Sequence, residues 1–96
     1  MKKLNGFKTI DVAVFISGTG TNLKNLIKFS LKKNSKFKIN LIISDNQKAK
    51  GLKYAKEFKI KKKIINYRNI SNAEKSILIN LKKYKIKLVC LAGFMK

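Results

Sequence analysis

Residues 12–27 read VAVFISGTGTNLKNLI, an apolar run that passes through two glycines directly into a helical pattern. The run belongs to a longer segment, Thr9–Ile16, whose β-branched and apolar residues predict a buried strand over 9–16 that stops at Ser17. The apolar positions that follow are spaced i, i+3, i+4 and i+8, which is one face of a helix over 22–33. They are Leu23, Leu26, Ile27 and Leu31. This stretch therefore predicts a strand, a glycine turn and a helix.

The rest of the chain repeats the alternation of short apolar runs and amphipathic stretches. Further strands are predicted over 36–44, 62–66 and 87–92, and further helices over 49–58 and 72–84. Strands that alternate with helices imply right-handed crossovers and a parallel sheet. The predicted fold class is therefore α/β, a Rossmann-like open parallel sheet of about four strands with three helices.

Two local patterns refine this prediction. Ser71 with Glu74 three residues later is typical of a capping box that begins the third helix, whose apolar side then follows. The residues of that side are Ile77, Leu78, Leu81 and Tyr84. The lone Cys90 stands within the apolar run of the last strand, so we expect a buried thiol and no internal disulfide.

Charge is the most conspicuous feature of the composition. The chain has 24 basic and four acidic residues, for a formal net charge of +20. Such a balance is typical of nucleic-acid-binding proteins, but Arg68 is the only arginine, and base reading and bidentate phosphate contacts favour arginine. We therefore expect solvated lysine faces rather than a nucleic-acid interface, and a basic nucleic-acid-binding module remains the weaker alternative.

Apolar runs in this chain are short and interrupted by lysine. None approaches the roughly 20 residues that cross a bilayer, and the amino terminus lacks the pattern of a signal peptide. We expect a cytoplasmic protein without a membrane partner.

The glycine turn is the candidate binding site. Gly18 and Gly20 remove side chains that would keep an anion away, and the helix that follows offers free N–H groups and its positive dipole end. Leu23 occupies the third glycine position of a dinucleotide fingerprint, and no Gly-Lys-Ser/Thr sequence is present. A single phosphate on a small molecule is the predicted ligand, with Asn22 as a donor. The alternative is that the glycines only make a tight turn and Asn22 only caps the helix.

Three segments together resemble one enzyme family. FISGTGTNLKNLI, LIISDNQKAKGLKYAKEFKI and the terminal LVCLAGFMK are similar, in order and in separation, to phosphoribosylglycinamide formyltransferase of purine biosynthesis. The resemblance covers nearly all of this chain but about the first half of a family member. It implies phosphoribosylglycinamide as substrate and 10-formyltetrahydrofolate as cosubstrate, without a metal.

The same resemblance implies which residues form the site. The family's glycine loop holds the substrate phosphate, and the matching positions are Gly20, Thr21 and Asn22, with Ser17–Thr19 shaping the turn. Met95 and Lys96 match the first two positions of the pocket for the folate pterin.

The catalytic residues of the family have no counterpart in this chain. The resemblance places them in an Asn-x-His motif and a later aspartate, and this chain contains no histidine. We therefore interpret residues 1–96 as a truncated amino-terminal, phosphate-binding domain that does not catalyse formyl transfer alone. A carboxyl-terminal half or self-association through exposed sheet edges is the expected partner arrangement. A stand-alone sugar-phosphate-binding or regulatory domain is the alternative.

Overall fold

The structure is a computed structural model that describes residues 9–18, 21–66 and 68–92, apart from the side chain of Thr21. Strands and helices alternate along these residues in the predicted order. The strands are β1 (Ile10–Ile16), β2 (Phe37–Ser44), β3 (Lys61–Ile64) and β4 (Leu88–Leu91). The helices are α1 (Thr21–Ser30), α2 (Lys53–Glu57), which continues a 3₁₀ turn at Lys50–Leu52, and α3 (Ile70–Lys83).

The four strands form one parallel sheet in the order β3-β2-β1-β4. The predicted α/β fold class, with a Rossmann-like parallel sheet, is therefore confirmed. One irregularity interrupts the β1–β2 pairing, where Val12 pairs with Ile39 and Ala13 with Leu41. The extra residue, Asn40, donates a hydrogen bond from Nδ2 to Oδ1 of Asp11 at 2.6 Å, which occupies its amide at the bulge.

Buried side chains form an apolar layer on each face of the sheet. One layer joins β1 and β2 to α1 and to the segment around α2, and its fully buried members include Val14, Ile16, Leu23, Ile27 and Ile42. The other layer lies under α3 and contains Ala13, Phe15, Leu41, Ile43, Ile65 and Ala73. Because β1 and β2 are apolar on both faces, they read as continuous runs in the sequence.

The ends of two helices differ from the prediction. α1 ends at Ser30 rather than at residue 33, and Leu31, expected on its apolar face, lies past that end with 67% of its surface exposed. α3 begins at Ile70, and its cap is Asn69, whose Oδ1 accepts from the backbone N–H of Asn72 at 3.0 Å. The Ser71 cap prediction is wrong, because Ser71 already lies within the first turn. Leu78 is also exposed, since α3 turns Ala73, Ile77 and Leu81 towards the sheet.

β4 lies at one side of the described sheet, and this changes its burial. Leu88, Val89 and Leu91 are exposed, although the sequence predicted a buried thiol within this strand. Cys90 is half-buried rather than buried, since it packs only against the rim of the α1 layer. None of the described helices is long and apolar enough to span a membrane.

Candidate phosphate-binding site

α1 follows β1, the strand next to which the strand order of the sheet reverses. From β1 the chain passes through α1 to β2 on one side, whereas α3 carries it back across the sheet to β4 on the other side of β1. In open parallel sheets, ligands bind outside the carboxyl ends of the strands at such a switch point. Asn22 in the first turn of α1 lines one groove with Leu91 and Ala92 at the carboxyl end of β4.

Two hydrogen bonds join the turn after β1 to the loop after β2. The Ser17 hydroxyl donates to Oδ1 of Asp45 at 2.9 Å, and the backbone N–H of Gly51 donates to the Gly18 carbonyl at 3.0 Å. We call this pair of bonds the loop clamp. It holds Ser17 and Gly18, the start of the glycine turn, against the neighbouring loop.

The loop after β2 is itself held by local bonds. Ser44 is fully buried, and its hydroxyl donates to the Asn46 carbonyl at 3.0 Å and accepts from the Asn46 N–H at 3.1 Å. Oδ1 of Asn46 in turn accepts from the Lys48 N–H at 2.9 Å. These are the side-chain turns that Ser and Asn form at strand ends, and they give Asp45 a defined place in the clamp.

Gly18 leaves open space beside the turn. A Cβ built at this residue meets no atom within 4 Å, and its φ lies outside the left-handed region. Neither packing nor backbone conformation among the described residues therefore requires glycine here. The open space agrees with the interpretation that the turn leaves room for a ligand.

The predicted site residues are described only in part. Thr21 begins α1, and Asn22, in the first turn, has an exposed side chain available to a ligand. Gly20 and the side chain of Thr21 lie outside the described residues, as do Met95 and Lys96. Their roles stay predictions.

Sequence reasoning missed the partners in the loop clamp. In the sequence, Asp45 has the turn chemistry that ends a strand and Gly51 precedes a helical pattern, and neither feature by itself indicates a hydrogen bond to the glycine turn. The signal was present in the order of elements: Ser17 and Asp45 each follow a parallel strand, and neighbouring parallel strands end at the same edge of a sheet.

The aromatic side chains give little support to a nucleic-acid interface. In residues 9–18, 21–66 and 68–92, Phe29 is the one exposed aromatic side chain, and the Lys32 ammonium lies 5.0 Å from its ring centroid. Tyr54 is half-buried, with the Nζ atoms of Lys24 and Lys53 at 5.8 and 5.1 Å from its ring centroid. No stacking surface of several aromatic rings is formed within these ranges.

Metal-binding side chains are scattered as well. Within the described residues, no group of three His, Cys, Asp or Glu side chains could hold a metal ion.

Known proteins match both the sequence and this fold. The family model described as formyl transferase matches residues 10–96. The human trifunctional purine biosynthetic protein adenosine-3 is 39% identical over 92 residues, which cover 93% of this chain and 9% of that protein. The phosphoribosylglycinamide formyltransferase of Haemophilus influenzae is 35% identical over 88 residues, which cover 88% of this chain and 42% of that enzyme.

Solved structures of formyltransferases share the same architecture. The phosphoribosylglycinamide formyltransferase of Brucella melitensis superposes with a TM-score of 0.88 at 30% identity, covering 93% of this chain and 48% of that one. The enzyme of Anaplasma phagocytophilum gives a TM-score of 0.82 at 35% identity and covers 93% and 42%. The chain thus spans less than half the length of these enzymes. The resemblance predicted from the three sequence segments is confirmed, and the chain belongs to the formyl transferase family.

Proposed function

We propose that this chain binds the phosphate of phosphoribosylglycinamide at the amino end of α1 and so supplies the substrate-holding part of a phosphoribosylglycinamide formyltransferase. The observation that carries the proposal is the loop clamp, which lies on the β2 side of β1, next to the switch point between β1 and β4. It holds Ser17 and Gly18 at the carboxyl end of β1, at the edge of the sheet where ligands of open parallel sheets bind.

The chemistry of the site favours a dianionic group. The first N–H groups of a helix have no partner within the helix, and the helix dipole adds positive potential at the same end. Asn22 adds an exposed side-chain amide there, and Gly18 leaves space beside it. Thr21 and Gly20 complete the proposed phosphate contacts. These donors come from the backbone and from neutral side chains. They therefore recognise the phosphate by the positions of its oxygens rather than through a cationic side chain.

We propose 10-formyltetrahydrofolate as the formyl donor, with Met95 and Lys96 as the first wall of its pterin pocket. In this reaction the substrate amine attacks the formyl carbon, the bond from that carbon to N10 breaks, and the amine proton passes to the tetrahydrofolate that leaves. The role of this chain is to fix the substrate by its phosphate while other residues of the enzyme act on the formyl group. We place the protein in the cytoplasm, where purine biosynthesis supplies the substrate.

The test is a titration of the ¹⁵N-labelled chain with phosphoribosylglycinamide, followed by NMR. We expect saturable shifts of the Gly20, Thr21 and Asn22 amides. Asn22→Ala should weaken binding by about 1 to 3 kcal/mol through loss of a charge-assisted hydrogen bond. A bulky residue in place of Gly20 should abolish binding by blocking the approach of the phosphate.

A chain with a net charge of +20 attracts anions everywhere, so the titration needs a matched control. Asn34→Ala makes the same change in the exposed turn beyond the other end of α1, and it should leave the affinity unchanged. Shifts spread over lysine-rich surfaces, or equal loss in the two variants, would contradict the site. A different combination of results would favour the stand-alone binding domain: the chain binds the sugar phosphate, but no partner forms an active formyltransferase with it.

A further inference from the structure

We propose that a groove at the amino edge of the sheet is a second ligand site, which binds a small amphipathic anion, a medium-chain carboxylate with an apolar body and one charged head. Residues at the starts of β2 and β3 and at the carboxyl end of α1 form this groove, so it lies opposite the phosphate site. The proposal is independent of the proposed function, since none of the lining residues belongs to the loop clamp or to the first turn of α1.

The surface of the groove is mostly apolar. Its volume is about 380 Å³, and clefts that bind small ligands have volumes of about 300 to 1,000 Å³. Side chains from the end of α1, the start of β2 and the turn after α2 form the apolar part: Ile27, Leu31, Ile39, Phe58 and Ile60. Leu31 is 67% exposed, so part of this surface meets water. An apolar ligand body that covers it removes that area from water, which favours binding.

Three lysines give the groove its charge. Lys38, Lys59 and Lys61 line it with exposed side chains, and none of the described lining residues is acidic. The chain has many other lysines, but these three border an apolar cleft. One carboxylate, that of Asp11, contacts a lining residue, and its Oδ1 accepts a hydrogen bond from Asn40 at 2.6 Å. An anionic head on an apolar body complements this arrangement, whereas a cationic head meets three like charges.

The helix ends at this edge do not compete for the three ammonium groups. The carboxyl end of a helix has unpaired carbonyls and the negative end of the dipole, and both attract cations. At the end of α2, however, the carbonyls of Tyr54, Ala55 and Lys56 already accept backbone hydrogen bonds, as does that of Ile27 near the end of α1. These carbonyls do not need the lysines as donors, which leaves the ammonium groups available to a ligand.

The experiment titrates the ¹⁵N-labelled chain with decanoate, below its micelle concentration, and follows the titration by NMR. We expect saturable one-to-one binding that shifts the amides of 38–40 and 58–61. Two matched probes separate the parts of the ligand: decyltrimethylammonium has the same kind of body with a positive head, and acetate has the carboxylate without the body. Each should bind at least about tenfold more weakly than decanoate, because each lacks one of the two contributions.

Two lysines allow a test of charge that preserves the backbone. Lys59 and Lys85 each follow a helix with a positive φ, 57° and 55°, a conformation that glycine adopts without strain. Lys59 lines the groove and Lys85 does not. Lys59→Gly should weaken decanoate binding at least about threefold, and Lys85→Gly should change it less than about 1.5-fold. Circular dichroism checks that both variants are folded.

A second pair of variants tests the apolar surface. Leu31 lines the groove, whereas Leu78 lies on α3 outside it, and the two side chains are 67% and 61% exposed. Leu31→Ser should weaken decanoate binding at least about fivefold, and Leu78→Ser should change it less than about twofold. The shifts measured on the unmodified chain locate the site even if a variant does not fold.

Several results would overturn the proposal: no saturable binding of decanoate, shifts centred on 88–91 or on the first turn of α1, equal binding of the two decyl probes, or equal effects within either pair of variants. Phosphoribosylglycinamide should not displace decanoate, because the two sites lie at opposite edges of the sheet, and displacement would also overturn the proposal. A chain that binds decanoate in the groove but binds no sugar phosphate would refute the proposed function and leave this site intact, and the reverse result would do the opposite.

Discussion

Gly18 and Ser17 have different roles at the start of the turn. Ser17 is half-buried, and its hydroxyl donates a hydrogen bond to Asp45 that holds this part of the backbone against the neighbouring loop. Gly18 contributes its carbonyl to the loop clamp, but the space where a side chain would lie is open. The hydroxyl therefore has a structural reason to be there, whereas the missing Cβ of Gly18 has none among the described residues. We expect the proposed phosphate ligand to supply that reason.

Gly18→Ala separates these two roles. Because the φ of Gly18 is outside the left-handed region and its Cβ position is open, we expect the free energy of unfolding to stay the same or to rise by about 0.4 to 1 kcal/mol. Phosphate affinity should fall, since the methyl group enters the open space beside α1. Urea unfolding and phosphate titration of the same sample measure the two effects. A loss of stability above about 1 kcal/mol would show that the turn itself needs glycine.

Two residues near the start of α3 could each cap the helix. Asn69 and Ser71 are both of a residue type that caps helices, and the sequence pattern favoured Ser71 because Glu74 follows it. In the structure Asn69 is extended, with φ −114° and ψ 100°, and its carbonyl accepts the first helical bond from Ala73 at 2.9 Å. A helix that begins at Ile70 turns Ala73, Ile77 and Leu81 to the sheet. Beginning at Ile70 includes Ala73, which is buried in the layer under α3, in the first turn of the helix.

Asn69→Ala tests this choice. We expect it to cost about 1 kcal/mol of unfolding free energy, because the Asn72 N–H loses its acceptor. Ser71→Ala is the matched control, and it should cost almost nothing, since Ser71 lies inside the helix and Ala has the higher helix propensity. Chemical denaturation of both variants measures the difference. The opposite order would restore the capping box at Ser71.

Exposed lysines occur on each of the described helices, while the two outer strands of the described sheet differ in polarity. The lysines of β3 are exposed at one side of the sheet, and apolar residues of β4 are exposed at the other. The proposed formyl transfer needs two substrates and a proton acceptor held together. The resemblance to phosphoribosylglycinamide formyltransferase assigns the catalytic histidine to a motif that this chain lacks.

We expect the purified 96-residue chain to transfer no formyl group at a measurable rate. Loss of a catalytic unit costs several orders of magnitude in rate, and lysines do not replace an imidazole poised near neutral pH. The assay incubates the chain with phosphoribosylglycinamide and 10-formyltetrahydrofolate, with the Haemophilus influenzae enzyme as positive control. Turnover by the chain alone would require a catalyst outside the residues discussed above.

Local patterns in the sequence were sufficient for the alternation of strands and helices and for the parallel sheet. Burial periodicity and turn chemistry act over a few residues, so the chain carries them without reference to its neighbours in space. The loop clamp, the cap of α3 and the exposure of β4 could not be obtained in this way. Ser17 and Asp45 are 28 residues apart, and their hydrogen bond exists only because β1 and β2 pair side by side. Likewise, an apolar run such as Leu88–Leu91 indicates a strand, but its burial depends on how many neighbours the sheet provides, and within the described residues β4 has one, β1.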